Sequence, residues 1–149
     1  MTYLLIGAFA RVIQGADEVT EGLDIVPSRR EPNLARLAEA LRDLGAERAD
    51  GKQLALEAES IAREAVLALR TEHGELKVVP EPAGTRGYDD LRWHASGEHI
   101  GKGLRPRVAS TGDLARMLAA LGREEDLPKL MALRRIMDFE LTRGMGLEL

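Results

Sequence analysis

Two short apolar runs on either side of a helical pattern restrict the possible folds more than any other feature of this chain. The first run covers Tyr3 to Ile6 and ends at Gly7. Apolar residues at helical spacing follow as far as Gly15, and the second run covers Leu23 to Val26. Glycine after an apolar run is typical of a turn. We therefore predict a strand, a glycine turn, a helix and a second strand within the first 26 residues.

Composition excludes several classes of protein. A length of 149 residues with 44% hydrophobic residues is enough for one domain with a buried core. A net charge of -4 argues against a general nucleic-acid-binding protein, and the absence of cysteine excludes disulfides and thiolate metal sites. The N-terminal apolar run is too short to span a membrane and lacks the basic start of a signal peptide. We expect no membrane contact and a cytoplasmic location.

The middle of the chain alternates helical and extended patterns. A leucine stripe predicts a helix that starts at Pro32 and ends at Gly45. Asp50 is a candidate N-cap for a helix over residues 50–63. Residues 65–70 and 75–79 are predicted to form a hairpin around Gly74, with continuation of the helix through 65–69 as the alternative. A short helix is expected within residues 88–96.

The C-terminal third is predicted to be helical. After a short strand within residues 105–109, Ser110 and Asp113 resemble a capping box that opens a helix ending at Gly122. A last helix begins near Leu127, and its predicted buried residues are Leu130, Leu133, Met137 and Leu141. The chain is therefore predicted to be α+β, with a short mixed sheet flanked by helices. We expect one domain over residues 1–149, with a sheet-bearing core at about 1–109 and C-terminal helices at about 110–143.

The N-terminal order resembles a known signature. Gly7 and Ala8 follow the first apolar run, and thirteen residues later the second run reads Gly22-Leu23-Asp24-Ile25. This resembles the nucleotidyltransferase superfamily of the DNA polymerase β type, in which a strand ending in Gly-Gly or Gly-Ser precedes a helix and an Asp-x-Asp strand. More narrowly, the chain resembles small bacterial nucleotidyltransferase-like proteins encoded beside toxin–antitoxin or abortive-infection loci. The likeness continues in GELKVVPEPAGTRGYDDL and VASTGDLARMLAALGREEDLPKLMALRR, and so covers nearly the whole chain.

The resemblance implies a nucleotidyltransferase-like fold and a magnesium site. In this family the paired carboxylates and a third from a neighbouring strand hold Mg²⁺ ions that bridge the nucleotide phosphates. It implies that Asp24 is the catalytic, metal-binding residue. It also implies that Gly7 and Ala8 let backbone amides approach the phosphates.

The sequence departs from the family pattern at the other two carboxylates. Gly22 replaces the first aspartate of the pair, and Lys77 stands where the third carboxylate is usual. Too few oxygen ligands remain for a hard divalent cation, and an ammonium group is added beside them. We therefore expect no cofactor. In the active alternative Mg²⁺ is required, and Glu75 or Glu21 assists Asp24.

Lys77 has two interpretations. Its ammonium group either fills the position of the metal and pairs with Asp24, or it is an ordinary exposed cation on an edge strand. Basic residues usual in the family are also absent near Glu18, Leu118 and Glu125. Two other residues, Arg123 and Asp126, match the family's terminal helical motif.

These departures predict a protein without transferase activity, or with little. The leading prediction is a nucleotidyltransferase-like protein that binds a partner or a nucleotide. The alternative is an active Mg²⁺-dependent enzyme that transfers a nucleoside monophosphate to a protein, an RNA or a small molecule. A structural or oligomerising module is the third class. The expected partners are a protein from a neighbouring gene, a nucleotide, and further copies of the chain in a homo-oligomer.

Overall fold

The computed structural model describes residues 1–144, and in them seven strands form one mixed sheet with helices packed around it. The strands are β1 (Tyr3–Ile6), β2 (Gly22–Pro27), β3 (Glu47–Arg48), β4 (Leu67–Thr71), β5 (Gly74–Val78), β6 (Ser96–Gly97) and β7 (Arg107–Val108). The helices are α1 (Gly7–Ile13), α2 (Glu31–Asp43), α3 (Ala58–Arg63), α4 (Tyr88–Leu91), α5 (Thr111–Leu121) and α6 (Leu127–Gly144). A 3-10 turn, Glu124–Asp126, joins the last two helices.

The sheet order is β3-β4-β5-β2-β1-β7-β6, so the two N-terminal strands lie near its centre. Strand β1 pairs antiparallel with β2 and parallel with β7, and β2 pairs parallel with β5. The apolar residues of these strands and of α2 form the core, whose fully buried members include Leu4, Val26, Leu34, Leu37, Leu41, Leu69 and Val78. This core fixes the position of the polar ends of β2 and β5.

Several predicted elements are confirmed. Strands β4 and β5 form the antiparallel hairpin, which rules out the helical alternative for residues 65–69. The N-cap of α5 is Ser110, whose side chain accepts a hydrogen bond of 3.1 Å from the Asp113 amide. Gly122 ends that helix in the left-handed conformation, with φ of 63°. The short strand predicted within residues 105–109 is β7.

The helix predicted over residues 50–63 is wrong in its first half, because helix begins only at Ala58. The Asp50 carboxylate binds the Lys52 amide at 2.9 Å and the Arg48 guanidinium at 2.9 Å. Gly51 adopts φ of 77°. Asp50 therefore closes a turn instead of capping a helix.

The predicted burial of the last helix is correct at one position and wrong at another. Leu133 is fully buried, while Leu141 is 64% exposed. Leu130 and Met137 are partly buried. The sequence also predicts that this helix frays over residues 143–149, of which 145–149 lie outside the described residues. Within residues 1–144, no helix combines the length and apolar character needed to cross a bilayer.

Candidate functional site

An open groove of about 340 Å³ lies at the start of β2 and along β5. It brings together most of the residues that the sequence singles out. Its lining residues are Ala8, Val19, Thr20, Glu21, Gly22, Leu23, Asp24, Glu75 and Lys77. Residues more than fifty positions apart in sequence therefore meet here, because β2 and β5 are neighbouring parallel strands.

The backbone of Gly7 lies directly against the carboxylate of Asp24. Gly7 is the first residue of α1 and adopts φ of 73°, a conformation that side-chain-bearing residues rarely adopt. A Cβ atom on Gly7 would overlap the carboxylate oxygen Oδ2 of Asp24. Glycine is therefore required at position 7 for two reasons. Its backbone angle suits glycine, and the Asp24 carboxylate leaves no room for a side chain.

Gly22 is where β2 approaches β5 most closely. It lies in register with Glu75. A Cβ atom on Gly22 would lie 2.5 Å from the carbonyl oxygen of Glu75 and 2.9 Å from its Cβ. Glycine within a strand often marks such an approach of two backbones. An aspartate at position 22 has no room unless the strands move apart.

Lys77 lies directly opposite Asp24 in the β2–β5 ladder. Strand β5 has β2 on one side and β4 on the other, so the edge-strand interpretation of Lys77 is wrong. The Lys77 side chain is exposed, as that interpretation requires. Within residues 1–144 its ammonium group has no ion-pair partner within 4.0 Å. The internal Lys77–Asp24 ion pair is therefore not formed.

The pKa of the Asp24 carboxyl lies above its ordinary value. Burial is the main cause, and the positive charges of Lys77 and Arg11 offset part of it by lowering the pKa. Asp24 accepts no hydrogen bond from the rest of the described chain. A half-buried carboxylate without a donor is costly in the folded state.

This raised pKa predicts that Asp24→Asn stabilises the protein at neutral pH. The folded state holds the Asp24 proton more tightly than the unfolded state, so the ionised wild type loses stability as pH rises above the ordinary aspartate pKa. Asparagine cannot ionise and avoids this loss. Thermal unfolding should give a melting temperature about 2 °C higher for the variant at pH 7, with the difference vanishing at acid pH.

Asp90→Asn provides a control of opposite sign. The Arg86 backbone amide and the Arg116 side chain lower the pKa of the Asp90 carboxyl. Its stabilising effect is present above the ordinary pKa and is lost as pH falls through the folded-state value. Asp90→Asn should therefore destabilise the protein at pH 7. Equal effects of the two substitutions would contradict the assignment for Asp24.

A buried ion pair holds the loop between α1 and β2. Arg11 is 7% exposed, and its guanidinium donates two hydrogen bonds to Glu18, of 2.7 and 3.0 Å. Glu18, near which the nucleotidyltransferase resemblance implies a basic residue, is thus the acidic partner of Arg11. Sequence reasoning missed this pair, although a single charged side chain within the otherwise apolar α1 was a usable signal.

Arg123 and Asp126 lie outside the groove. The Arg123 Nε atom donates a 2.7 Å hydrogen bond to the fully buried Asp126 carboxylate, and the Lys129 ammonium lies 3.7 Å from the other oxygen. These contacts stabilise the turn between α5 and α6. Of the other two residues near which the resemblance implies a cation, Leu118 is buried in the core and Glu125 is exposed.

The side chains of the groove fit a magnesium ion poorly. Gly22 offers no side-chain oxygen, and Lys77 places an amine opposite Asp24. Among residues 1–144, no three carboxylate or imidazole groups come together as the ligands of a metal ion would. Glu75 lines the same groove but is exposed, so the pair Asp24 and Glu75 falls short of the oxygen-rich shell that Mg²⁺ requires.

No model of a known protein family matches this sequence, and no curated protein matches it. The groove geometry is therefore the basis for assigning a function.

Proposed function

We propose that this chain is a nucleotidyltransferase-like protein that no longer transfers nucleotides and acts by binding a partner. The order of β1, the Gly7 turn, α1 and β2 follows the family signature, and the Asp24 carboxylate lies against that turn. The likeness in sequence and this local arrangement together support the assignment to the family.

The observation that carries the loss of activity is the crowding at Gly22. The Glu75 carbonyl occupies the space that a side chain at position 22 would need. Restoring an aspartate at position 22 would therefore need more than a single substitution, because β2 and β5 lie too close together there to admit its side chain. With Lys77 opposite Asp24, one carboxylate remains where two-metal chemistry needs three.

The charges of the groove favour a protein partner over a nucleoside triphosphate. Three acidic residues, Glu21, Asp24 and Glu75, line it together with one cation, Lys77. Without a bound metal this surface repels phosphates and attracts basic side chains. A protein with an exposed lysine or arginine is the occupant that the groove fits best.

Calorimetric titration with ATP tests this proposal. We expect no saturable binding by the wild type up to about 1 mM ATP, with or without Mg²⁺, because the groove offers the phosphates one cation, Lys77, against three carboxylates. Tight binding that needs Mg²⁺ and disappears in Asp24→Ala would favour the active alternative.

The replacement of Lys77 gives a complementary prediction. Lys77→Asp places a second carboxylate in register with Asp24 and removes the positive charge. We expect Mn²⁺ affinity, measured by paramagnetic broadening of resonances in the groove, to rise about ten-fold. Lys52→Asp changes the net charge equally at an exposed position outside the groove and is the matched control. An equal gain in both variants would mean that net charge, not the groove, controls the binding.

A further inference from the structure

Helix α6 carries a second stripe of residues beside its core-facing side, and this stripe borders the groove between α5 and α6. Its members are Leu127, Met131, Arg134, Asp138 and Leu141, which follow one another at intervals of four, three, four and three residues. This alternation is the spacing of a coiled-coil seam. We call these five residues the α6 seam.

All five residues of the α6 seam are exposed, although three of them, Leu127, Met131 and Leu141, are apolar. Leu127 is 56% exposed, and Met131 and Leu141 are each 64% exposed. The core-facing side of the helix lies next to this stripe and centres on the fully buried Leu133. Three large apolar side chains aligned along one exposed helix face form the kind of surface that other protein surfaces cover.

Arg134 and Asp138, the two charged residues of the α6 seam, indicate which protein surface covers the seam. Neither the Arg134 guanidinium nor the Asp138 carboxylate has an ion-pair partner within 4.0 Å in the described part of the chain. If two copies of α6 pack antiparallel about the midpoint of these residues, each arginine faces the other copy's aspartate. The same register places Met131 against Leu141 of the second copy. A parallel pairing would instead place like charges together.

We propose that two copies of this chain associate through the α6 seam as an antiparallel, two-fold symmetric helix pair. Each copy uses the same surface, as a closed two-fold interface requires. The pair has apolar contacts on both sides of two central ion pairs, and these ion pairs set its orientation and register. The inference is independent of the proposed loss of transferase activity.

Sedimentation equilibrium with charge reversals tests the interface. We expect the wild type to dimerise at protein concentrations up to about 1 mM. Arg134→Glu or Asp138→Arg alone should weaken the dimer about ten-fold, because each turns two attractive contacts into two repulsive ones. The double variant should recover affinity to within about two-fold of the wild type, and mixing the two single variants should give a heterodimer stronger than either homodimer.

Arg36→Glu, an equal charge change at an exposed position of α2, is the matched control and should leave the dimer unchanged. A wild type that stays monomeric at about 1 mM would overturn the proposal. So would a dimer that the single reversals do not weaken, or single variants that form no heterodimer on mixing. None of these results depends on nucleotide binding or transfer.

Discussion

Gly7→Ala is expected to lower the free energy of unfolding by about 3 kcal/mol. Two costs combine at this position. An alanine at φ of 73° is strained by about 1–2 kcal/mol, and its Cβ would overlap Oδ2 of Asp24, so that the carboxylate or the turn must move. Urea-induced unfolding measures the change, and the resonances of Asp24 should shift with it.

Gly51→Ala separates the two costs. Gly51 adopts φ of 77°, but no atom lies within 4 Å of a Cβ placed on it, so only the backbone strain applies. The loss should therefore be about 1–2 kcal/mol. Adding Asp24→Ala to Gly7→Ala should recover part of the larger loss. Equal losses for Gly7→Ala and Gly51→Ala would mean that the carboxylate does not press on the turn.

Glu18→Ala is expected to destabilise the protein by about 3 kcal/mol, since it leaves the buried Arg11 guanidinium without its partner. The loop before β2 lines part of the groove. If this loop becomes less ordered in the variant, the resonances of Thr20 and Glu21 should also broaden. Chemical denaturation at neutral pH gives the magnitude.

Arg11→Met combined with Glu18→Met provides the control for this pair. Replacing both charges by apolar side chains removes the unpaired cation and should recover most of the lost stability. A Glu18→Ala variant within about 0.5 kcal/mol of the wild type would contradict a structural role for the pair.

The parts of the fold that local pattern determines were predictable from the sequence. The strand, turn, helix and strand of the first 27 residues and the leucine stripe of α2 follow from short-range spacing alone. The groove was predictable in part. Asp24, Gly22, Glu75 and Lys77 were singled out by the sequence, and the structure brings all four to one surface.

The remaining features depend on contacts between distant residues. The resemblance predicts a carboxylate where this chain has Gly22, but only the approach of the Glu75 backbone reveals that a side chain there has no room. Likewise, Leu141 satisfies the apolar spacing of a buried helix face, yet it is 64% exposed, because burial depends on which distant residues pack against that turn of α6. Asp50 has the chemistry of an N-cap, but its bonds to Arg48 and Lys52 form a turn.

Transfer of a radiolabelled nucleoside monophosphate from a nucleoside triphosphate tests the central claim most directly. The wild type and Asp24→Ala should be compared with Mg²⁺, each with its own polypeptide, a protein from a neighbouring gene and RNA as acceptors. We predict no product above the level of Asp24→Ala for any acceptor, because one carboxylate opposite a lysine cannot assemble the metal site. Labelled product that requires Mg²⁺ and disappears in Asp24→Ala would contradict this account.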